Sequence, residues 1–259
     1  MPLYRRQVIK PTADLDAIAY IGKVGITNVV SQNAINDFVV GLKALNLYSS
    51  SVSWFMRSSQ NAGTGTTLYS IGALGTFDGT LANGPTWDAD GIVFDGSNDI
   101  INLPNGAWGT GNTATSILAF LKPTGANIGV VLGSGLVAGA TQNYFHLKAR
   151  GSGGNDLATM AFTDVAIEAG DTTFKSLFQG NTTIGFKGKN GGTVTSFALN
   201  NTLNKVGDNS SIGQFPLFGQ PFQGTISAIV RINATPTTQI NSDIHNLYRN
   251  TLGAGLGLP

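Results

Sequence analysis

The sequence of 259 residues contains no cysteine, and this absence excludes several kinds of protein at once. Without cysteine there is no disulfide framework, no thiolate nucleophile and no cysteine-ligated zinc site. Charged residues are also scarce, at 11% of the chain against about 25% in ordinary soluble domains. Among the 14 acidic residues a single one, Glu168, is a glutamate. The net charge of +1 comes from scattered lysines and arginines, so the basic stripe that would bind nucleic acid is missing.

Long apolar segments are missing as well. No run approaches the roughly 20 residues that a membrane-spanning helix needs. The charged start of the chain, with Arg5 and Arg6, is not followed by the apolar core of a signal peptide. We therefore expect no membrane partner, no nucleic-acid partner and assembly in a cytoplasm.

Turn-forming residues are abundant instead. Glycine, asparagine, serine and threonine together make up about 40% of the chain, while hydrophobic residues make up 41%. The hydrophobic share is large enough to form a core, and strong helix formers are few beside the many turn formers. The composition therefore favours an all-β chain with many loops.

The first 47 residues differ in pattern from the rest and are interpreted as an attachment or oligomerisation segment. Residues 1–25 predict an extended arm with short strands at 7–10 and 17–21. Residues 26–45 then carry an apolar stripe at three- and four-residue spacing, which predicts an amphipathic helix. The stripe includes Ile26, Val30, Ile35, Phe38, Leu42 and Leu45. Two interpretations stay open: the stripe packs on the parent domain, or it packs on other subunits.

Residues 48–252 show short alternating segments separated by turn pairs such as Asp78-Gly79 and Asp95-Gly96. About a dozen strands at this spacing indicate a two-sheet jelly-roll sandwich. A short helix is predicted over residues 238–249. The glycine-rich tail, residues 253–259, is expected to be extended.

Three stretches resemble the concanavalin A-like, laminin-G-like jelly roll. Residues 79–87 and 91–103 resemble the pattern G-T-L-x-N-G … F-D-G-x-x-D-Y-I-x-L, with Ile100 in place of the usual aromatic residue. Residues 116–124 are similar to F-T-I-x-A-W-V-K-P, and residues 222–232 to F-x-G-x-I-D-E-V-R-I-Y-N. The resemblance covers residues 50–250 and implies the fold. It implies no single function, because this fold hosts lectins, glucanases, adhesion modules and virion proteins.

A second resemblance suggests a context. Residues 31–48 look like the helix that precedes such modules in structural proteins of tailed bacteriophages. This resemblance implies a non-enzymatic virion structural protein, a head decoration or a tail or fibre component, assembled in the bacterial host cytoplasm. Its expected partners are other virion proteins and its own copies, as a homotrimer. The alternative is a carbohydrate-binding module that recognises glycans on the host surface.

The sequence contains few of the residue patterns that hydrolytic enzymes use. Glycosidases need two carboxylates flanking the scissile bond, and glucanases of this fold carry a pair of glutamates. Glu168 has no second glutamate, so only an unusual pair with Asp164 or Asp171 remains. Neither His146 nor His245 lies in a recognisable nucleophile–base pattern. We therefore expect no catalytic residues and no enzymatic activity.

Calcium is the one cofactor that the sequence suggests. Asp95, Asn98 and Asp99 carry the oxygen ligands that Ca²⁺ prefers, and relatives of this fold bind calcium at a sheet rim. The same residues also suit a hairpin turn in which side chains accept backbone amides. Both interpretations stay open.

Three aromatic residues are candidates for contact with a glycan or a partner protein. They are Trp87, Trp108 and Tyr144. Trp108 lies in a glycine-rich segment where an aromatic ring has little structural reason to be. For this residue three roles stay open: a core plug, a subunit contact or a platform on which a sugar stacks.

Overall fold

The structure, a computed structural model, describes residues 13–109, 113–138, 141–160, 163–199, 210–215 and 219–259, with the backbone alone for 135–138, 141–145, 159–160 and 163–164. The helices are α1 (Leu15–Val24), α2 (Val29–Ala44) and α3 (Thr238–Asn250), and a short 3-10 turn covers Tyr48–Ser50. The strands are β1 (Ser51–Phe55), β2 (Thr67–Leu68), β3 (Ser70–Ile71), β4 (Gly79–Ala82), β5 (Thr86–Trp87), β6 (Ile92–Asp95), β7 (Ile100–Asn102), β8 (Thr115–Pro123), β9 (Gly129–Ala138), β10 (Thr141–Ala149), β11 (Asn155–Met160), β12 (Thr163–Ala169), β13 (Lys175–Asn181), β14 (Gly185–Lys189), β15 (Thr195–Phe197), β16 (Ser211–Ile212) and β17 (Gln223–Ile232).

These strands form two antiparallel sheets that pack face to face. The first sheet has the order β15-β14-β13-β8-β17-β1-β3, with β6 also paired to β17 and β5 to β6. The second has the order β12-β11-β10-β9-β16-β7-β4-β2. The predicted fold class, an all-β two-sheet jelly roll with an N-terminal helix and a short C-terminal helix, is confirmed.

The four strands β1, β8, β13 and β17 of the first sheet are buried on both faces. In β8, Ile117, Ala119 and Leu121 face the second sheet, whereas Leu118 and Phe120 face the helices. Because neither face meets water, β1, β8, β13 and β17 are nearly continuous in their burial and do not alternate in and out.

Helix α2 packs its apolar stripe on the chain's own sheet. Ile26, Ile35, Phe38 and Leu42 are buried in the cluster between the helices and β1, β8, β13 and β17, and Leu45 is partly buried against it. This is the first of the two interpretations of the stripe. The oligomerisation role expected for these five residues is therefore corrected, because their side chains are already covered by their own domain. Val30 alone of the predicted set is exposed, with 59% of its surface accessible.

The region expected to be an extended arm contains a helix instead. The strand predicted at residues 17–21 lies inside α1, and the one at 7–10 lies outside the described residues. Asp14 caps α1 by accepting the amide of Asp16 at 3.0 Å, and Gly25 ends it in the left-handed conformation at φ 77°. Ala17 and Tyr20 face the sheet, which is a helical spacing that the short apolar run concealed.

The C-terminal part of the chain closes the same layer. Helix α3 is found where residues 238–249 predicted it, and its N-cap Thr237 accepts the amide of Ile240 at 3.1 Å. The tail does not extend as expected. It turns back after α3, and Leu256 and Leu258 are buried against the helix layer because they complete its apolar cluster.

A buried ion pair joins the two sheets. Lys175 of β13 and Asp156 of β11 are both fully buried, with 2.8 Å between Nζ and Oδ2. Asp156 also accepts the amide of Arg150 at 3.0 Å, and Lys175 donates to the main-chain oxygen of Asp171 at 3.2 Å. Burial raises the pKa of Asp156 above its usual range, although Lys175 acts in the opposite direction. The pair therefore fixes β11 against β13 by charge as well as by packing.

None of the helices in the described part of the chain is long and apolar enough to cross a membrane.

Candidate functional site

A cavity of about 270 Å³ opens at one end of the sandwich. Three separate stretches of the chain form it: the loop after β3, the loop between β7 and β8, and the end of β17. The side chains that line it are Leu74, Phe77, Asn105, Thr113, Arg231 and Asn233. We call this cavity the Arg231 pocket.

Arg231 forms the most buried part of the pocket. Inward-facing residues alternate along the end of β17, so Arg231 points into the sandwich beside Ile229. Its side chain is 96% buried, with an accessible fraction of only 4%. Nη1 donates to the carbonyl oxygens of Gly106 at 3.0 Å and Ala107 at 2.8 Å, and Nη2 donates to Oδ1 of Asn233 at 2.7 Å. The guanidinium thus ties the β7–β8 loop to the end of β17.

The charge of Arg231 has no counter-ion among the described residues. Its contacts are to two carbonyl oxygens and one amide oxygen, and it forms no ion pair with a described carboxylate. Nε is buried and has no hydrogen-bond acceptor. Burial lowers the pKa of Arg231 to about 10, which still leaves the side chain protonated near neutral pH. The pocket is therefore electropositive at its base.

Phe77 supplies the aromatic wall of the pocket. The guanidinium carbon of Arg231 lies 6.0 Å from the centre of the Phe77 ring. The loop that carries Phe77 is held by its backbone, since its amide donates to Ser70 Oγ at 2.9 Å and its carbonyl accepts Nε1 of Trp54 at 2.7 Å. The ring is thus positioned independently of any ligand.

The sequence did not predict that the residues of the Arg231 pocket lie close together in the fold. Arg231 is separated by 125 residues from Gly106 and by 124 from Ala107, so no local spacing links them. One signal was available: Arg231 is the only charged residue in the apolar strand β17. A lone charge in a strand buried on both faces needs a partner or a ligand.

The predicted calcium ligands form a hairpin turn between β6 and β7. Asp95 Oδ1 accepts the amide of Ser97 at 2.7 Å, and Asp99 Oδ2 accepts the amide of Asp95 at 2.8 Å. The main-chain oxygen of Asn98 accepts Nδ2 of Asn83 at 3.1 Å. Burial and the nearby charge of Asp95 raise the pKa of Asp99, while the hydrogen bond from the Asp95 amide lowers it. Within the described residues no three histidine, aspartate or glutamate side chains gather as a metal site would require.

The three aromatic residues predicted to contact a glycan or a partner protein differ in their exposure. Trp108 is fully buried, packs on Trp54 with 5.1 Å between ring centres, and donates from Nε1 to the carbonyl oxygen of Gly133 at 3.0 Å. Its role as a glycan or partner contact is therefore corrected, and it is a core plug. Trp87 is partly exposed and donates to the carbonyl oxygen of Gly65 at 3.0 Å. The side chain of Tyr144 lies outside the described part of the chain.

The acidic residues weighed for hydrolysis are held in ion pairs. Glu168 is 58% exposed and lies 3.5 Å from Lys189 Nζ, which is also 3.2 Å from Asp171. Burial alone would raise the pKa of Asp171, but hydrogen bonds from Thr173 and Lys189 outweigh it and hold the pKa at about 2. Asp171 is thus an ionised group and not the protonated acid that a glycosidase needs. The side chain of Asp164 is not among those that the structure describes.

The structure contains one serine–histidine contact that the sequence did not predict. Ser176 Oγ and His245 Nδ1 are 2.8 Å apart, and His245 Nε2 lies 2.7 Å from the main-chain oxygen of Pro259. The distances resemble a nucleophile–base pair, but both side chains are buried where α3 packs on β13. A substrate could not contact Ser176 there, so the contact fastens α3 and the tail to β13.

Comparisons with known proteins give the fold class and nothing narrower. No family model matches the chain, and no curated protein matches it. A Trypanosoma rangeli sialidase in complex with 2,3-difluorosialic acid matches with a TM-score of 0.60 at 13% identity, over 88% of this chain and 41% of the sialidase. The same sialidase in complex with sialic acid matches with a TM-score of 0.59 at 15% identity, over 80% of this chain and 34% of that one.

A third match is to domain 4 of a GH43 extracellular arabinanase from Geobacillus stearothermophilus, in complex with arabinotriose. It covers 75% of this chain and 87% of that one at 18% identity, but its TM-score of 0.47 is too low to support any inference. Identities this low show a shared fold alone. The chain spans between about a third and two fifths of the sialidases that it matches.

Proposed function

We propose that the chain is a non-catalytic carbohydrate-binding module and that the Arg231 pocket holds the sugar. The observation that carries the proposal is the set of side chains at this rim. Phe77 offers a ring face to the apolar side of a sugar, while Asn105, Thr113 and Asn233 offer amide and hydroxyl groups to sugar hydroxyls. Pockets that combine an apolar wall with a few convergent polar groups are the usual small-ligand sites.

The absence of a suitable acid pair among the described side chains supports binding without cleavage. Glu168 is exposed and lies 3.5 Å from Lys189 Nζ, and the pKa of Asp171 is held at about 2, so Asp171 is not prepared to protonate a leaving group. The neighbouring sialidases are enzymes as whole proteins, but this chain matches only part of them. Their activity is therefore not carried over.

The test is a glycan array with the full chain, followed by titration calorimetry on the sugars that bind. We expect Asn105→Ala and Phe77→Ala to weaken binding about tenfold or more, since each removes a group that lines the pocket. Trp87→Ala is the matched control, because Trp87 is a partly exposed aromatic residue outside the pocket. Its affinity should equal that of the unchanged chain.

Three results would count against this proposal. One is an array on which no sugar is retained. Another is loss of binding in Trp87→Ala with full binding in Asn105→Ala. The third is release of sugar fragments that stops in Glu168→Gln, which would make the protein an enzyme.

A second candidate, the virion structural protein with its attached neighbours, is favoured by a different observation. Among the described residues, four of the six large apolar side chains that are exposed lie on the N-terminal helices. They are Leu15 at 80%, Val30 at 59%, Ile18 at 48% and Val40 at 44% accessible surface. Exposed apolar side chains that adjoin one another mark protein–protein contacts, and Leu15 and Ile18 lie three residues apart on one side of α1. The exposed part of the helix layer, rather than the buried stripe of α2, would then attach the protein to its own copies or to other virion proteins.

Light scattering after size-exclusion chromatography tests this second proposal. We expect an assembly larger than the 26.9 kDa chain, which a charge at the layer should dissociate, as in Leu15→Glu with Ile18→Glu. Ile184→Glu is the control, because Ile184 is exposed to 39% and lies in the turn between β13 and β14, not on a helix. A chain that is monomeric at every concentration, or an assembly unaffected by the helix substitutions, would contradict the proposal.

A further inference from the structure

Arg231 occupies a position where a charge is expensive. It faces the space between the two sheets, where its neighbours on β17 and β1 are Ile229, Val52 and Trp54. A cation that is taken out of water destabilises the fold unless an anion or a full set of hydrogen bonds compensates it. The buried charge of Arg231 therefore needs an anion or hydrogen-bond acceptors close to its guanidinium group.

The chain compensates the guanidinium only in part. A guanidinium has five N–H donors, and the described acceptors number three: the carbonyl oxygens of Gly106 and Ala107, and Oδ1 of Asn233. Nε has no acceptor, and no described carboxylate forms an ion pair with the group. All three acceptors are neutral, so one positive charge remains without a counter-ion beside an open cavity.

The volume of the cavity limits the size of an anionic ligand, and the single guanidinium limits its charge. Its volume of about 270 Å³ lies just below the range for small-molecule pockets, roughly 300–1,000 Å³, and favours a ligand as small as a single sugar unit. One buried guanidinium balances one negative charge. A phosphate monoester carries about −1.5 to −2 at neutral pH, which would bring excess negative charge into a low-dielectric site.

We propose that the Arg231 pocket binds the carboxylate of an acidic sugar. This inference rests on the proposed carbohydrate-binding function and adds the class of ligand to it. The carboxylate neutralises Arg231 through a charge-assisted hydrogen bond, and the ring of the same sugar lies against Phe77. Asn105, Thr113 and Asn233 contact its hydroxyl groups.

The first test changes the ligand and leaves the protein intact, so folding of a variant cannot obscure it. Galacturonate, its methyl ester and galactose share one ring and differ in the group at carbon 6. We expect galacturonate to bind about tenfold more tightly than the other two in titration calorimetry, since one charge-assisted contact separates them. The same comparison is made with glucuronate and glucose. The preference should shrink as salt is added.

The second test changes the protein. Arg231→Lys keeps the charge but loses the planar donor set, and Arg231→Met removes the charge. We expect the preference for the carboxylate to fall in Arg231→Lys and to vanish in Arg231→Met. Asn105→Ala serves as the comparison, because it removes a neutral contact and should weaken galacturonate and galactose alike. Thermal melts establish which variants are folded.

The outcomes separate the inference from the function on which it rests. If galactose and galacturonate bind equally, the carboxylate assignment is overturned while carbohydrate binding stands. If no sugar binds, both fail. A carboxylate preference that persists in folded Arg231→Met, or tighter binding of galactose 6-sulfate than of galacturonate, would also overturn the assignment.

Discussion

His245 is a buried histidine whose two ring nitrogens both have partners inside the fold. Nδ1 lies 2.8 Å from Ser176 Oγ, and Nε2 lies 2.7 Å from the main-chain oxygen of Pro259, which also accepts Nη1 of Arg249 at 2.8 Å. Burial lowers the pKa of His245 below its ordinary value of 6.5, although the hydrogen bond to Pro259 acts in the other direction. The folded protein therefore resists protonation at this ring.

This arrangement predicts that acid destabilises the protein through His245. Below pH 6.5 the unfolded chain binds a proton at this histidine that the folded chain does not, so the free energy of unfolding falls as the pH drops toward the folded pKa. We expect the melting temperature to fall between pH 7.5 and pH 5.5. In His245→Gln, which does not titrate in this range, the fall should be smaller. His146, the other histidine, is present in both proteins and cancels in the comparison. Equal pH dependence in the two proteins would contradict the prediction.

Single residues were the least predictable part of the molecule. Trp108 sits in a glycine-rich segment that looked like an exposed loop, yet its indole has a buried acceptor at Gly133, 25 residues along the chain. Arg231 finds its acceptors more than 120 residues away. A sequence displays the chemistry of a side chain but not the backbone oxygen that will meet it, so both roles depended on the fold.

The helices were predicted according to the strength of their periodicity. Helix α2 has four turns and a continuous apolar stripe, and α3 repeats apolar residues at Ile240, Ile244 and Leu247, so both were predicted close to their observed bounds. Helix α1 has only 10 residues, and its short apolar run fits a strand equally well. Its capping signals, Asp14 and Gly25, lie at the two ends and were the better guide.

The helix layer is predicted to be part of the fold and not a removable appendage. Deletion of residues 1–47 would uncover Phe55, a buried ring of β1 that packs on Tyr20 of α1 and Phe38 of α2 with 5.8 Å and 5.4 Å between ring centres. Each large apolar side chain of the layer, such as Phe38, contributes about 1.5–3 kcal/mol by its burial. Several such losses exceed the stability of an ordinary domain, about 5–15 kcal/mol.

We therefore expect residues 48–259 alone to be insoluble or to lack a cooperative melt, as measured by circular dichroism. Deletion of residues 1–12 is the control, because it keeps α1 and α2 whole. Phe38→Ala in the full chain should lower the free energy of unfolding by about 3–5 kcal/mol in urea. A soluble 48–259 fragment with a sharp melt would show that the helices only cover the sheet.

At the scale of the whole molecule, the hydrophobic pattern and the resemblance to jelly-roll sequences predicted the fold class. They did not predict which strands pair with one another. Strand β1 pairs with β17, so residues 51–55 lie beside residues 228–232 in the first sheet, one strand in from its edge strand β3. Short strands such as β5 and β16, with two residues each, have no periodicity to detect. Their pairing follows from the register of longer neighbours, which tertiary packing sets and local sequence does not.

The buried ion pair between Lys175 and Asp156 joins the two sheets, so its removal should change the stability of the whole molecule. Lys175→Met should lower the free energy of unfolding by roughly 3–5 kcal/mol at pH 7.5, because it leaves the carboxylate of Asp156 buried without its cation. The loss should be smaller at pH 5. Asp156 already has a raised pKa, and without Lys175 it would take up a proton on folding, so stability would be retained at low pH and lost as the pH rises.

The double variant Lys175→Met with Asp156→Leu separates charge from packing. We expect it to recover most of the lost stability, since two apolar side chains then replace a desolvated pair. Lys23→Met is the matched control: its partner Asp78 lies 2.7 Å away, but the side chains are 39% and 26% exposed, so the change should cost no more than about 1 kcal/mol. Urea unfolding at both pH values measures all four proteins. If the single and double variants lost the same amount, the two sheets would be joined by the shape of these side chains and not by their charge.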